Sequence, residues 1–252
     1  MDNKEILTTS LNKIHLGNTE ADIDKIEKYI DILLEYNSQS NLVGTKLKQD
    51  ILIRHVIDSL SIFKYSNYFF TPRAGDNFKI LDIGTGAGLP GILISIFLKD
   101  RHVYLLDKKA KAINFLREAV HKLNLTNIYI IEGNAEYLGH DDKYRESFDI
   151  VLSRAVGKFN IVCELMMPFC KIGGKIVLYK SKKLHEEIEE YKNIIPILGG
   201  KIDKILEVKV PNLDEYRAFL SILKETNTLY KYPRKYAKIL KTPLAEETHY
   251  GC

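Results

Sequence analysis

Between Ala21 and Tyr36 the apolar residues Ile23, Ile26, Ile30, Leu33 and Leu34 are separated by charged ones. That is the three- and four-residue spacing of one face of an α-helix. A second helical pattern runs from about Lys48 to Tyr65, with Ile51, Ile53, Val56, Ile57, Leu60 and Phe63 on its apolar side. The polar run Asn37-Ser-Gln-Ser-Asn41-Leu-Val-Gly44 connects the two, and Thr71-Pro-Arg-Ala-Gly-Asp-Asn77 ends the helical part. Beyond it the period changes. Short strand-like runs at Lys79–Ile83, His102–Leu106, Asn127–Ile131, Phe148–Leu152 and Gly174–Tyr179 alternate with helical segments at Gly88–Lys99, Lys109–Leu123 and Phe159–Phe169. Strands alternating with helices across short connections predict a doubly wound α/β domain, its parallel sheet covered on both faces. A polar helix near Lys183–Ile195 follows. Then come two closing strands, Ile202–Val210 and Tyr216–Leu223, joined by a Pro-Asn turn as an antiparallel pair at the sheet edge.

Composition narrows the class without choosing a function. The 252 residues are 45% hydrophobic and 28% charged, which excludes a disordered chain. Thirty-seven Lys and Arg against 33 Asp and Glu give only +4, but the positive charge is uneven. Lys224, Lys231, Arg234, Lys235, Lys238 and Lys241 cluster with Tyr230, Tyr232 and Tyr236 against a single Glu225. Such a segment suits RNA, cations facing phosphates and tyrosines stacking on bases, or is a solvated tail. The three cysteines, Cys163, Cys170 and Cys252, form no Cys-x-x-Cys pair, so neither a disulfide framework nor a zinc site is expected. The N-terminus lacks an apolar leader, and the longest apolar stretch, Ile92–Leu98, is too short to span a bilayer. A cytoplasmic protein with no metal and no membrane attachment is the expectation.

The chemistry concentrates at Asp82-Ile-Gly84-Thr-Gly86-Ala-Gly88-Leu-Pro-Gly91, a glycine-rich turn directly after a strand and opening a helix. Two registers compete. Gly86-x-Gly88-x-x-Gly91 satisfies the dinucleotide fingerprint of an NAD-dependent oxidoreductase, whose pyrophosphate rests over the helix N-terminus. Gly84-x-Gly86-x-Gly88 starts two residues after Asp82, a carboxylate that repels a pyrophosphate but suits S-adenosylmethionine, which carries a sulfonium and an ammonium and no phosphate. Asp107 ends the second strand, about twenty residues on, where it can accept hydrogen bonds from ribose hydroxyls in either reading, or simply cap the next helix. After the third strand, Gly133-Asn-Ala135-Glu136 lies where an adenine would sit.

The acceptor is constrained by what is missing. Methylation at pyrimidine C5 needs a cysteine nucleophile, whereas Cys163 and Cys170 fall within a predicted apolar helix segment. Adenine-amine methylation commonly uses an Asp/Asn-Pro-Pro-aromatic loop after the fourth strand, where this chain has Ser153-Arg154-Ala155-Val156. Arg154 can fork onto guanine or a phosphate, help hold the methionine carboxylate, or form a surface ion pair. Guanine N7 has a free lone pair, and its methylation needs no general base, only an in-line approach in a water-poor site.

The chain resembles the rRNA small subunit methyltransferase G family of bacterial guanine-N7 methyltransferases, also called glucose-inhibited division protein B. The resemblance covers nearly the whole chain: Asn41-Leu-Val-Gly44, Arg54-His55-Val-Ile-Asp58-Ser59-Leu60, the Asp82–Gly91 turn, Leu105-Leu-Asp107, Lys111, Phe115-Leu-Arg117, Ala135-Glu136, Phe148-Asp149, Ser153-Arg154-Ala155 and Tyr232-Pro-Arg234. It implies a class I S-adenosylmethionine-dependent methyltransferase fold: a Rossmann-like, mostly parallel seven-stranded sheet with an antiparallel edge pair. Residues 1–70 would be a helical cap, 71–224 the catalytic domain and 225–252 a basic extension. By the same resemblance Gly84, Leu89, Ala135, Glu136 and Arg154 belong to the S-adenosylmethionine site, alongside Asp82, Gly86, Gly88 and Asp107 from the turn and the second strand. The acceptor would be 16S ribosomal RNA, free or within a small subunit, at N7 of guanine 527. Arg154, His55 and Lys180 are the candidates at the reacting end. His55 and Asp58, three apart on one helix face, are by themselves more often a structural pair. Relatives usually carry Lys-Gly after the fifth strand, where this chain has Tyr179-Lys180-Ser181, and Ala245–Cys252 extends past the usual end. An oxidoreductase, or a non-catalytic RNA-binding module of this fold, remain the alternatives.

Overall fold

The computed structural model of the chain describes residues 2–71, 77–154 and 157–244. Most of the Thr71–Asn77 break, Ala155 of the Ser-Arg-Ala motif with the Val156 that follows it, and the Ala245–Cys252 extension lie outside the described residues.

Seven strands form one sheet in the order β3-β2-β1-β4-β5-β7-β6. They are β1 (Lys79–Ile83), β2 (His102–Asp107), β3 (Ile128–Glu132), β4 (Phe148–Arg154), β5 (Cys170–Lys180), β6 (Gly200–Val208) and β7 (Arg217–Lys224). β1 to β5 pair in parallel, with Ile80 opposite both Val103 and Ile150, and β7 runs antiparallel to both β5 and β6. The expected mostly parallel sheet with an antiparallel edge pair is what forms. Strand order reverses between β1 and β4, the place where open α/β sheets bind ligands beyond the carboxyl ends of their strands.

Period-two alternation sorts the side chains into two cores. Ile80, Val103, Leu105, Ile150, Leu152, Val177 and Phe219 face one layer; Leu81, Leu106, Val151, Ile176, Leu178 and Leu220 face the other. The first layer contains α1 (Asn3–Lys13), α2 (Glu20–Ser40) and a helical run over 48–69, together with α6 (Gly91–Phe97) and α7 (Ala110–Lys122). The second is covered by α9 (Phe159–Met166), α10 (Leu184–Tyr191) and α11 (Ile194–Ile197). Two short helices, α8 (Ala135–Leu138) and α12 (Tyr236–Lys241), flank the strand ends. No helix among the described residues is long and apolar enough to cross a membrane.

Several elements depart from the sequence reading. The single helix expected over 48–65 is a series: α3 (Lys48–Asp50), a π-helical turn Ile51–Ile57, α4 (Asp58–Leu60), a 3-10 turn Ser61–Tyr65 and α5 (Ser66–Phe69). Ile51-Leu-Ile-Arg-His-Val-Ile57 is too uniformly apolar for one stripe, and the wider turn buries Ile51, Leu52, Val56 and Ile57 together. α6 begins at Gly91, not Gly88, because Gly84, Gly86 and Gly88 all adopt positive φ. Cys170 opens β5 and does not continue the preceding helix. α1 was not anticipated.

The α2 N-terminus is fixed by a reciprocal capping box. Thr19 Oγ1 accepts from the Asp22 backbone N–H at 3.2 Å, and Asp22 Oδ2 accepts from the Thr19 N–H at 3.0 Å. At its other end Asn41, left-handed at φ 46°, stops the helix. The Asn37 amide then holds the next loop by bonds to Val43 and Thr45.

Candidate active site

The turn after β1 is organised from beneath by Asp82. Its Oδ2 accepts from Thr85 Oγ1 at 2.7 Å and from the Gly91 backbone N–H at 2.9 Å, tying both ends of the glycine loop to the strand end. Asp82 is buried, and its Oδ1 has no partner among the described residues. Burial pushes its carboxyl up to about 6, against the bonds from Thr85 and Gly91 and the charge of Arg154.

The glycines divide by role. At Gly86, φ is +55°, a Cβ would meet nothing within 4 Å, and the N–H donates to Asp107 Oδ2 at 2.9 Å. Gly88, at φ +78°, faces the core: a Cβ there would lie 2.3 Å from Ile92 Cδ1. Gly91 is likewise packed, with Leu105 Cδ2 2.2 Å from a Cβ position. So Gly84 and Gly86 line a cavity while Gly88 and Gly91 let α6 close onto the sheet.

That cavity, about 770 Å³, opens over the carboxyl ends of β1 to β4. Gly84, Thr85, Gly86 and Leu89 form its floor; Asp107 and Lys108 contribute from the end of β2, Gly133, Ala135 and Glu136 from beyond β3, and Arg154 from the end of β4. Asp107 has both carboxylate oxygens engaged, Oδ2 by Gly86 and Oδ1 by the Lys109 N–H at 2.9 Å, so it braces the turn as well as facing the cavity. The helical N-terminal part supplies a wall. His55 and the Asn41–Val43 loop line the cavity, the buried Tyr29 hydroxyl donates to the Ala87 carbonyl at 2.8 Å, and Tyr36 donates to Lys111 O at 2.9 Å.

Arg154 is held in a buried charge cluster. Its Nη2 lies 2.9 Å from Asp58 Oδ2 and donates to the Arg54 carbonyl at 2.5 Å, while Arg217 Nε approaches Asp58 Oδ1 at 3.3 Å. Asp58 thus pairs with two arginines and not with His55. Burial, reinforced by Arg154, drives the His55 imidazole down to about 4, so it is neutral at pH 7.

Of the residues singled out in the sequence, His55, Gly84, Gly86, Leu89, Asp107, Ala135, Glu136 and Arg154 come together around the cavity. Asp82 and Gly88 lie beneath it. Lys180 lies off it, at the end of β5, where it pairs with Glu187 at 2.6 Å and lines a separate smaller cavity. Burial pushes the thiols of Cys163 and Cys170 up to about 12, leaving neither as a ready thiolate. No group of three or more His, Cys, Asp or Glu among the described residues is placed to hold a metal ion.

The sequence reading missed Lys108, Lys109, Leu165 and Tyr236 as cavity residues. Tyr236 was noted only as part of the basic stretch; Lys108 Nζ stands 4.7 Å from its ring centre. That stretch is itself docked. Lys224 is fully buried, bonded to Met167 O at 2.9 Å and to Thr228, and Arg234 is clamped on Glu164 by three bonds of 2.7 to 2.9 Å. Neither is available to a polyanion, so the expected RNA role of Arg234 is corrected by its burial. Lys231 and Lys235 remain exposed.

Comparison with known proteins agrees with this geometry. A family model described as rRNA small subunit methyltransferase G matches residues 22–215. Ribosomal RNA small subunit methyltransferase G of Clostridium tetani is 36% identical over 95% of this chain and 98% of its own length, and that of Clostridium kluyveri is 38% identical over 97% and 100%. Among solved structures, a SAM-dependent methyltransferase from Aquifex aeolicus superposes with a TM-score of 0.51 at 18% identity, covering 69% of this chain and 93% of that one, and shares the fold. The architecture is that of the class I methyltransferases, and the chain belongs to the rRNA small subunit methyltransferase G family.

Proposed function

We propose that this protein transfers a methyl group from S-adenosylmethionine to N7 of a guanine in 16S ribosomal RNA, the position implied by family resemblance being guanine 527. The observation that carries the reading is the pairing of backbone and acid at the β1 and β2 ends: Gly84 and Gly86 floor the cavity, and the Asp107 carboxylate stands beside them. The residues suit the donor. Asp107 keeps lone pairs for ribose hydroxyls, Ala135 and Glu136 border the adenine region, and Arg154, fixed by Asp58, offers charge to the methionine carboxylate or the acceptor. The buried Asp82 below the turn disfavours a pyrophosphate and so the dinucleotide reading.

S-Adenosylmethionine supplies an electrophilic methyl group on sulfur. Attack through the N7 lone pair forms the new N–C bond as the S–C bond breaks, its electron pair passing to sulfur, and no proton is released. The chain therefore needs no general base, in keeping with a neutral His55 at the wall. Its work is alignment and exclusion of water. Residues 1–70 act as the helical cap and 71–224 as the catalytic domain, with Tyr236 of the basic C-terminal stretch adding to the cavity wall. The acceptor is the RNA alone or within the small subunit.

The direct test is incubation with labelled methyl donor and undermethylated small ribosomal subunits, followed by nucleoside digestion. Label is expected in N7-methylguanosine; its absence from purine N7 products removes the assignment.

A further inference from the structure

A second cavity of about 180 Å³ opens beside the first, at the ends of β4 and β5. Gly157 lines both, and the adjacent strand residues Ser153 and Arg154 belong to the smaller and the larger respectively. The smaller one is lined as well by Leu178, Tyr179 and Lys180 at the end of β5 and by Lys183 and Glu187 beyond it. Lys180 and Glu187 form an ion pair at 2.6 Å whose side chains are only 13% and 27% exposed. The ammonium is backed by the buried Phe159 ring, 5.0 Å away, which stacks on Tyr191. The pair is therefore a fixed donor beside a fixed acceptor, and the donor site adjoins it.

We propose that this cavity takes the acceptor base and that the Lys180–Glu187 pair selects guanine. This rests on the methyltransferase reading above and adds a recognition site to it. Guanine's Watson–Crick edge presents O6, N1–H and N2–H₂ in that order: one acceptor, then two donors. Lys180 has three ammonium protons, one of which serves Glu187, and a carboxylate has about four lone-pair positions, of which Lys180 occupies one. A donor flanked by an acceptor matches O6 beside N1–H and N2–H₂. Adenine reverses the first two positions, an amino group facing the ammonium and a bare N1 facing the carboxylate, and is rejected. N7 lies on a different edge of the ring and stays free to face the larger cavity across Gly157. Because the whole Watson–Crick edge is engaged, the base enters unpaired and turned out of its stack.

The experiment compares small subunits reconstituted with 16S RNA carrying guanosine or inosine at the acceptor position. Inosine keeps N7, O6 and N1–H but lacks the N2 amine. The wild-type protein should favour guanosine in kcat/KM by roughly 10- to 100-fold, the usual range for a good paired contact. Glu187→Gln should lower the guanosine value towards that of inosine and bring the ratio near one. S-Adenosylhomocysteine affinity should be unchanged, which also reports that the variant is folded. Equal use of both acceptors by wild type, or an undiminished ratio in Glu187→Gln, overturns the base-recognition site while leaving the methyltransferase reading intact. Failure of wild type to methylate guanosine at N7 overturns both.

Discussion

The glycine turn at residues 84–91 and the basic stretch at 224–241 both stand out in the sequence, yet the fold treats them differently. All but one of the polar ties of the turn described above are made within the β1–β2 unit: Thr85 and Gly91 to Asp82 and Gly86 to Asp107, with the Tyr29 hydroxyl on Ala87 O the one long-range addition. The function of such a motif lies in local backbone geometry, which the residue types themselves dictate. The basic stretch is a set of cations whose availability is decided elsewhere. Arg234 is taken by Glu164, seventy positions back, and Lys224 by Met167, Thr228 and Glu146. Lys231 and Lys235, three and one residues from Arg234, stay in solvent. A local motif transfers from sequence to structure almost unaltered, whereas a charge cluster becomes meaningful only once burial divides it.

The largest expected effect tests that division. Arg234→Met strands the Glu164 carboxylate in the interior and should cost about 3–5 kcal/mol of unfolding free energy in a denaturant titration, while Arg234→Met with Glu164→Met should recover most of it. A stable single variant that had lost RNA binding would return Arg234 to the RNA surface. Within the turn, Gly88→Val combines a positive φ with a collision against Ile92 and should destabilise by about 1–3 kcal/mol. Gly86→Ala puts its methyl into open space, so its cost in stability should be only about 1 kcal/mol, that of a side chain at φ +55°, while it should weaken donor binding by narrowing the cavity.

Two titrations sharpen the contrast further. Asp82, raised to about 6 from an ordinary 3.8, is held protonated more firmly in the folded state, so its contribution to stability is full below pH 4 and is lost as pH rises through 6. His55, lowered from 6.5 to about 4, gives the opposite slope: its contribution is full above pH 6.5 and is lost as pH falls through 4. Over pH 4 to 6 the two oppose, each at up to about 1.4 kcal/mol per pH unit. His55→Phe should gain stability relative to wild type as pH falls to 4.5, and Asp82→Asn should lose it; parallel pH curves for wild type and both variants would mean neither group is perturbed. The smallest effect is at the surface. Lys231→Gln with Lys235→Gln should leave the melting temperature unchanged and reduce the salt slope of RNA binding by about one per lysine that contacts a phosphate.

The central strands were legible because a strand buried on both faces of a parallel sheet leaves a short apolar run bounded by turn residues, as at Lys79–Ile83, which matches to the residue. The helical run over 48–69 was not, since π and 3-10 turns respond to how Val56, Ile57 and Phe63 pack on the sheet and not to a 3.6 period. α1 has a buried face, Ile6, Leu7 and Leu11, but Thr8, Thr9 and Ser10 dilute its helical signal. In the site, residues on the strand ends were visible from position along the chain. Tyr236 and the Asn41–Val43 loop were not, because their place at the cavity depends on which distant segments cross it. Asp58 was seen beside His55 on one turn, and only the fold reveals that its partner is Arg154, nearly a hundred residues on.

The central claim is that the cavity over β1 to β4 binds a methyl donor. Calorimetric titration of the full chain with S-adenosylhomocysteine, and separately with NADH, tests it most directly, repeated on Asp107→Ala. S-Adenosylhomocysteine should bind one to one and weaken at least tenfold in Asp107→Ala, the loss of a bond to a charged group, with no heat from NADH. Tight NADH binding with none for S-adenosylhomocysteine would contradict it.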